Sequence, residues 1–247
     1  MSELRIDDDA VRWAAGGRAV SGDEAFDALA DRPLLLLMHG YGSFEGDLIE
    51  LAPRLPGGFV CASPRAPLVA PPPIVGGYAW WQLPVDAEGR PLPADRRTAF
   101  VGSPEHRAAR AMLAWFDALD ARRAAQSGTG LGTVALMGFS QGGAMVTSLL
   151  RMRPTRFACG VNCSGFVAPG DFAGDAELAA IRPPMFWGRD TADPIIDAAR
   201  IAALEEWAPR HTSLESHLYQ GVAHGIGRDE LDDIADFLLR HTDGLVP

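Results

Sequence analysis

The chain has 247 residues, 47% of them hydrophobic, and a formal net charge of -10 from 32 acidic and 22 basic residues. A chain of this length buries a sizeable core and suits one α/β domain spanning residues 1–247. The acidic balance, with no basic stripe, argues against a nucleic-acid partner, and the acidity reads as a solubility feature.

The N-terminus has no basic segment followed by an apolar one, and no apolar stretch approaches bilayer length, so the expectation is a soluble, cytoplasmic protein without a transmembrane segment. Val11 to Val20, interrupted by Gly16-Gly17, reads as a hairpin leading into a sheet. Short apolar runs at Pro33–Met38 and Phe59–Ala62 suit strands covered on both faces. The stretch 63–102 lacks periodicity and carries prolines at 64, 67, 71, 72, 73, 84, 91 and 93 with the aromatic cluster Tyr78-Ala79-Trp80-Trp81. A loop of that length with aromatic content reads as a wall or cap over a pocket.

Ser103-Pro104 supplies an N-cap and a first-turn proline for a helix whose Ala108, Met112, Trp115, Phe116 and Leu119 share a face. A strand at Thr133–Met137 precedes a helix at Gln141–Met152. Then come a strand at Phe157–Val161, a strand at Pro184–Trp187, a helix at Asp197–Trp207, a more alternating, edge-like strand at Leu214–Tyr219, and a helix at Asp229–Arg240. Strands alternating with helices imply an α/β fold, a mostly parallel central sheet with helices on both faces. Of the three cysteines, Cys159 and Cys163 fall on one strand face, where buried thiols are expected rather than a disulfide or metal site. Cys61 completes this sparse set.

A serine hydroxyl needs a base, a group that orients the base and donors for an oxyanion before it becomes a useful nucleophile. Gly138-Phe139-Ser140-Gln141-Gly142 lies between a strand and a helix, the setting of a nucleophile elbow, which makes Ser140 the candidate nucleophile. His39-Gly40-Tyr41-Gly42 ends an earlier strand, so the amides of Tyr41 and Gln141 are the candidate oxyanion donors; His39 itself reads as a structural residue. Asp190 and Asp193 compete as the acid. Asp193, directly before Pro-Ile-Ile, is preferred, with Asp190 shaping the loop. His224 is the candidate base, and the order Ser140, Asp193, His224 is that of α/β-hydrolases. The histidines at 106, 211, 217 and 241 read as solvated.

Leu35 to Ser43, Ser63-Pro64-Arg65-Ala66-Pro67, Trp80-Trp81, Gly138 to Gly143, Asp193-Pro194 and His224-Gly225 together resemble the phospholipase/carboxylesterase family, over about Pro33 to Leu239. The resemblance implies an α/β-hydrolase fold, no cofactor, hydrolysis of carboxylic esters or thioesters, oxyanion amides at Tyr41 and Gln141, and a substrate-facing Trp81. The acid loop is longer than the family's Gly-x-x-Asp-Pro, which keeps Asp190 in play. Pro71-Pro72-Pro73 and Val85 to Phe100 also look longer, so the pocket roof is expected to differ. Phe44, Tyr78, Trp80, Trp81 and Phe166 are the candidate pocket aromatics. The expected partner is a small-molecule ester or acyl substrate, lysophospholipids included, and the sequence allows a homodimer. The competing readings are a dienelactone hydrolase-like or acyl-peptide-cleaving enzyme and a non-catalytic receptor that reuses the pocket.

Overall fold

The computed structural model describes residues 3–83 and 99–242. The expected hairpin forms from β1 (Arg12–Ala15) and β2 (Arg18–Val20) and is followed by α1 (Gly22–Ala28), whose start is fixed by a capping box between Ser21 and Glu24. Strand β3 (Leu34–Met38) leads through a 3-10 helix at Leu48–Arg54 to β4 (Val60–Ser63). Two short strands, β5 (Leu68–Val69) and β6 (Tyr78–Ala79), pair with each other inside the proline-rich excursion. The excursion's prolines 84, 91 and 93, and 85–98 of the segment expected to lengthen its roof, lie outside the described residues.

The remainder alternates. In order come α2 (Pro104–Ser127), β7 (Val134–Phe139), α3 (Gln141–Met152), β8 (Cys159–Cys163), α4 (Asp175–Ile181), β9 (Pro184–Asp190), α5 (Ala198–His211), β10 (Ser213–Tyr219) and α6 (Arg228–His241). The eight-stranded sheet has the order β10-β9-β8-β7-β3-β4-β1-β2, and only the pairings of β1 with β4 and β2 are antiparallel. Leu214–Tyr219 was expected towards an edge, and β10 is an edge strand.

Alternation within strands divides the core between two faces. Leu34, Leu36 and Met38 pack with α1, α2, α3 and α5 residues such as Phe26, Met112, Val146 and Leu204. Leu35 and Leu37 pack on the opposite face with Leu48, Ile234, Phe237 and Leu238. Cys159, Val161 and Cys163 join that second face together, and burial pushes the Cys61 and Cys159 thiols up to about 12. Thiols so disfavoured as thiolates are packing groups.

Register then places the loops. Met38 pairs with Gly138, Phe139 with Cys163, Cys163 with Gly188, and Asp190 with Tyr219. The C-terminal ends of β3, β7, β8, β9 and β10 therefore coincide, at the edge where open α/β sheets hold their ligands. Helix α3 follows β7 without a spacer, so Ser140 takes the turn alone at φ 54° and ψ -113°. Its amide donates to the Cys163 carbonyl at 2.8 Å. A Cβ at Gly138 would collide with the Gly142 carbonyl, and one at Gly142 with the carbonyl of Met38. Buried Asn162 fastens this turn by donating from Nδ2 to the Gly143 carbonyl at 3.1 Å and accepting at Oδ1 from the Gly165 amide at 2.9 Å.

On the other face, Glu230 in the first turn of α6 is fully buried against Gly188, with no well-formed hydrogen bond to its carboxyl oxygens among the described residues. Burial pushes this carboxyl up to about 7, against weaker downward pulls from the Gly227 amide and the Cys163 thiol.

Two outcomes are expected. Asn162→Ala leaves a buried amide and a buried carbonyl unsatisfied and should cost about 2–4 kcal/mol in urea unfolding. For Glu230, the unfolded chain ionises near the ordinary carboxylate value while the folded chain stays protonated to about 7. Its contribution to stability therefore declines as pH rises through that interval. Glu230→Gln should remove the decline, gaining up to about 3 kcal/mol on the wild type at pH 8 relative to pH 5. A wild-type-minus-variant difference that stays constant between those pH values would contradict the assignment.

Candidate active site

Four connections at the C-terminal sheet edge, after β3, β7, β9 and β10, bring the candidate residues together around one cavity of about 550 Å³, lined by Gly40, Tyr41, Ser140, Gln141 and His224 among others. Ser140 is 9% exposed there. The His224 imidazole packs at a tilt of 46° against Phe139, with ring centroids 4.8 Å apart, and its Nδ1 lies 2.8 Å from Asp193 Oδ2.

The two aspartates divide. Asp193 Oδ1 accepts from the amides of Ile195 and Ile196 at 2.8 and 3.0 Å, which turns its other oxygen to His224. Asp190 does not reach the imidazole by a hydrogen bond. Its Oδ1 accepts from the Ala192 amide at 2.8 Å and its Oδ2 from the Ala223 amide at 2.6 Å, tying the acid loop to the loop that carries His224. Those amide bonds, the one from Ala192 foremost, hold the Asp190 carboxyl below the usual range. Ala223 adopts a φ of 52° beside it.

His39 is wholly buried and takes the structural place expected of it. Its Nδ1–H donates to the Gly40 carbonyl at 2.8 Å, its Nε2 accepts from the Ala66 amide at 3.1 Å, and burial pulls its pKa down. The Trp80 indole donates to the His39 carbonyl at 2.9 Å, so the strand end and the excursion form one knot.

Tyr41 and Gln141 both border the cavity, and Gln141 opens α3, where the first amides have no intrahelical partner and the helix dipole favours negative charge. Gln141 has a second role that the sequence did not announce. Its side chain accepts from the Trp80 amide at 2.9 Å and donates to the Trp81 carbonyl at 2.8 Å.

The pocket aromatics need correction. Of the five expected, Phe166 lines the cavity and the other four do not. Trp80 is fully buried, and Trp81, 4% exposed, meets Phe166 edge-on with ring centroids 6.3 Å apart. Tyr78 is covered by Arg65, whose guanidinium lies 4.6 Å from the ring and is held by a bidentate pair with Glu45. Phe44 is 47% exposed and packs over Gly46. Trp80 and Tyr78 fasten the excursion to the end of β3 and the loop after it. The wall comes instead from Pro71, Pro72, Pro73, Ile74, Leu83, Phe139, Ile195 and Ile196, with Arg200 from α5. The triple proline and the Pro-Ile-Ile after Asp193 were visible signals for part of it; Arg200 had none, since an arginine in a helix reads as its solvated face.

The other histidines are less free than expected. His217 stacks on Phe186 at 5.2 Å, His211 bonds the Trp207 carbonyl, and His106 accepts from the Gly102 amide. Among the described residues no cluster of three metal-ligating side chains occurs, and no helix is long and apolar enough to cross a membrane.

Comparison with known proteins agrees with this architecture. The phospholipase/carboxylesterase family matches residues 121–242, the part that holds Ser140, Asp193 and His224. Acyl-protein thioesterase 1 of Saccharomyces cerevisiae is 26% identical over 109 residues, 42% of this chain and 48% of that protein, so the chain spans about half the length of this curated relative. A carboxylesterase from Mesorhizobium loti shares the fold at a TM-score of 0.68 and 18% identity, covering 96% of this chain and 99% of that one. The carboxylesterase of Bacillus cereus does so at 0.62 and 18%, with 94% and 93% covered. The chain is thus similar to the phospholipase/carboxylesterase family over residues 121–242, which include the candidate residues, and it shares the α/β fold of these carboxylesterases over nearly its full length.

Proposed function

We propose that the chain is a single-domain serine carboxylesterase acting through Ser140, His224 and Asp193, with thioesters and lysophospholipids within its reach. The observation that carries this reading is the 2.8 Å contact between His224 Nδ1 and Asp193 Oδ2 at the cavity that also holds Ser140. With Nδ1 engaged by the carboxylate, Nε2 is the nitrogen left to take a proton.

In this scheme Ser140 Oγ attacks the acyl carbonyl while His224 removes its proton, and Asp193 stabilises the imidazolium that forms. The carbonyl oxygen becomes an oxyanion and accepts from the amides of Tyr41 and Gln141, each typically worth about 3 kcal/mol. His224 then returns the proton to the departing alcohol or thiol. Water, deprotonated by the same imidazole, attacks the acyl-enzyme and restores Ser140. The scheme calls for no cofactor. The apolar wall at Pro71 to Ile74, Leu83, Phe166, Ile195 and Ile196 suits a hydrocarbon portion of the substrate.

Ser140→Ala should abolish turnover of p-nitrophenyl esters and labelling by a fluorophosphonate, the latter read by intact mass. Asp193→Asn should lower kcat by about 10⁴-fold through loss of the useful tautomer. Asp190→Asn should lower the melting temperature and leave kcat within about tenfold of the wild type, because its oxygens hold backbone. An Asp190 variant as inactive as the Asp193 variant at equal folding would reverse the assignment of the acid.

A further inference from the structure

Arg200 is the cationic side chain in a wall otherwise dominated by proline, isoleucine, leucine and phenylalanine. It is held in place. Asp197 caps α5 by accepting from the Arg200 amide at 2.9 Å through Oδ1, and the same carboxylate takes Arg200 Nη1 at 2.7 Å through Oδ2. The guanidinium carbon lies 5.1 Å from the Phe166 ring centroid, and the side chain is 18% exposed. Cap and ring together fix a group that would otherwise extend into water.

A guanidinium carries five N–H donors in a planar fork. Asp197 occupies one, and among the described residues no other protein acceptor bonds this side chain. The remaining donors are open to solvent at the cavity, and a charge-assisted bond from an anion on the ligand is the strong way to fill them. Asp47, which accepts from Ser43, also borders the cavity and disfavours an anion beside it, which leaves Arg200 as the group that can receive one.

We propose that Arg200 reads an anionic group on the substrate, so that the preferred ester carries a carboxylate or a comparable anion at the end of an apolar spacer. This rests on Ser140 being the nucleophile in the same cavity. The net charge of -10 opposes long-range attraction of such a substrate, but at physiological ionic strength that field is screened beyond about 8 Å and the local guanidinium decides.

The test compares kcat/KM for matched pairs at 0.15 M salt. For an anion on the acyl side, the mono-p-nitrophenyl ester of suberic acid is set against p-nitrophenyl octanoate. For an anion on the leaving side, the butyryl ester of 3-hydroxy-4-nitrobenzoate is set against the same ester with its carboxylate methylated. In at least one pair the wild type should favour the anionic member, Arg200→Met should lower the anionic-to-neutral ratio tenfold or more, and Arg200→Lys should keep part of it. The responding pair identifies the side that carries the anion. A ratio unchanged by Arg200→Met in both pairs overturns the proposal. A wild type that turns over neither member instead defeats the esterase reading, and the arginine is then tested without turnover: suberate binding to the Ser140→Ala protein by calorimetry should weaken at least tenfold on adding Arg200→Met, and equal binding by both would overturn it.

Discussion

The site depends on how closely the first turn of α3 approaches the end of β3. Gly142 sits where any side chain would strike the carbonyl of Met38, and Gly138 sits where one would strike the carbonyl of Gly142. Hydrogen atoms at those two positions let helix and strand meet at backbone distance. Strand register does the rest, since pairing Met38 with Gly138 sets the His39–Tyr41 loop beside Ser140. The positive φ of Ser140 is the local cost of that approach, stabilised by the Cys163 carbonyl and by Asn162.

Two carboxylates three residues apart serve the site differently because their environments differ. Asp193 is clamped by two following amides and presents one oxygen to an imidazole; Asp190 spends both oxygens on backbone amides from two loops. The first arrangement orients a ring and the second fixes where that ring's loop begins. Ala223, donor to Asp190, immediately precedes His224, so the position of the imidazole depends on both aspartates.

Most of the sheet could be read from the amino acids, because strands buried on both faces appear as short apolar runs and their loops carry the glycines and prolines. Boundaries moved where the apolar signal was weak: the run read as Phe157–Val161 is a strand at Cys159–Cys163, and α5 passes Trp207 to His211, stacking Trp207 on His211 at 4.6 Å despite Pro209. Helices α1 and α4 escaped notice because each has seven residues and buries only one or two, too few to establish a period. The convergence of Ser140, Asp193 and His224 on one cavity edge could be anticipated because elbow and chain order constrain these positions locally. The wall was not. Whether Trp81 or Pro72 faces a cavity depends on how an excursion folds back over the sheet, and the rings that looked like pocket lining are spent on Arg65, His39 and Phe166.

The side chain of Gln141 ties the head of α3 to the backbone at Trp80 and Trp81 through two buried hydrogen bonds. Swinging that part of the excursion outwards would strand the amide group of Gln141 and two backbone polar groups in the core. Trp80 and Trp81 are consequently a fixed floor and not a hinged door. Any adjustment of the cavity beside Ser140 is left to Pro71, Pro72, Pro73 and Ile195, which line it and stand exposed.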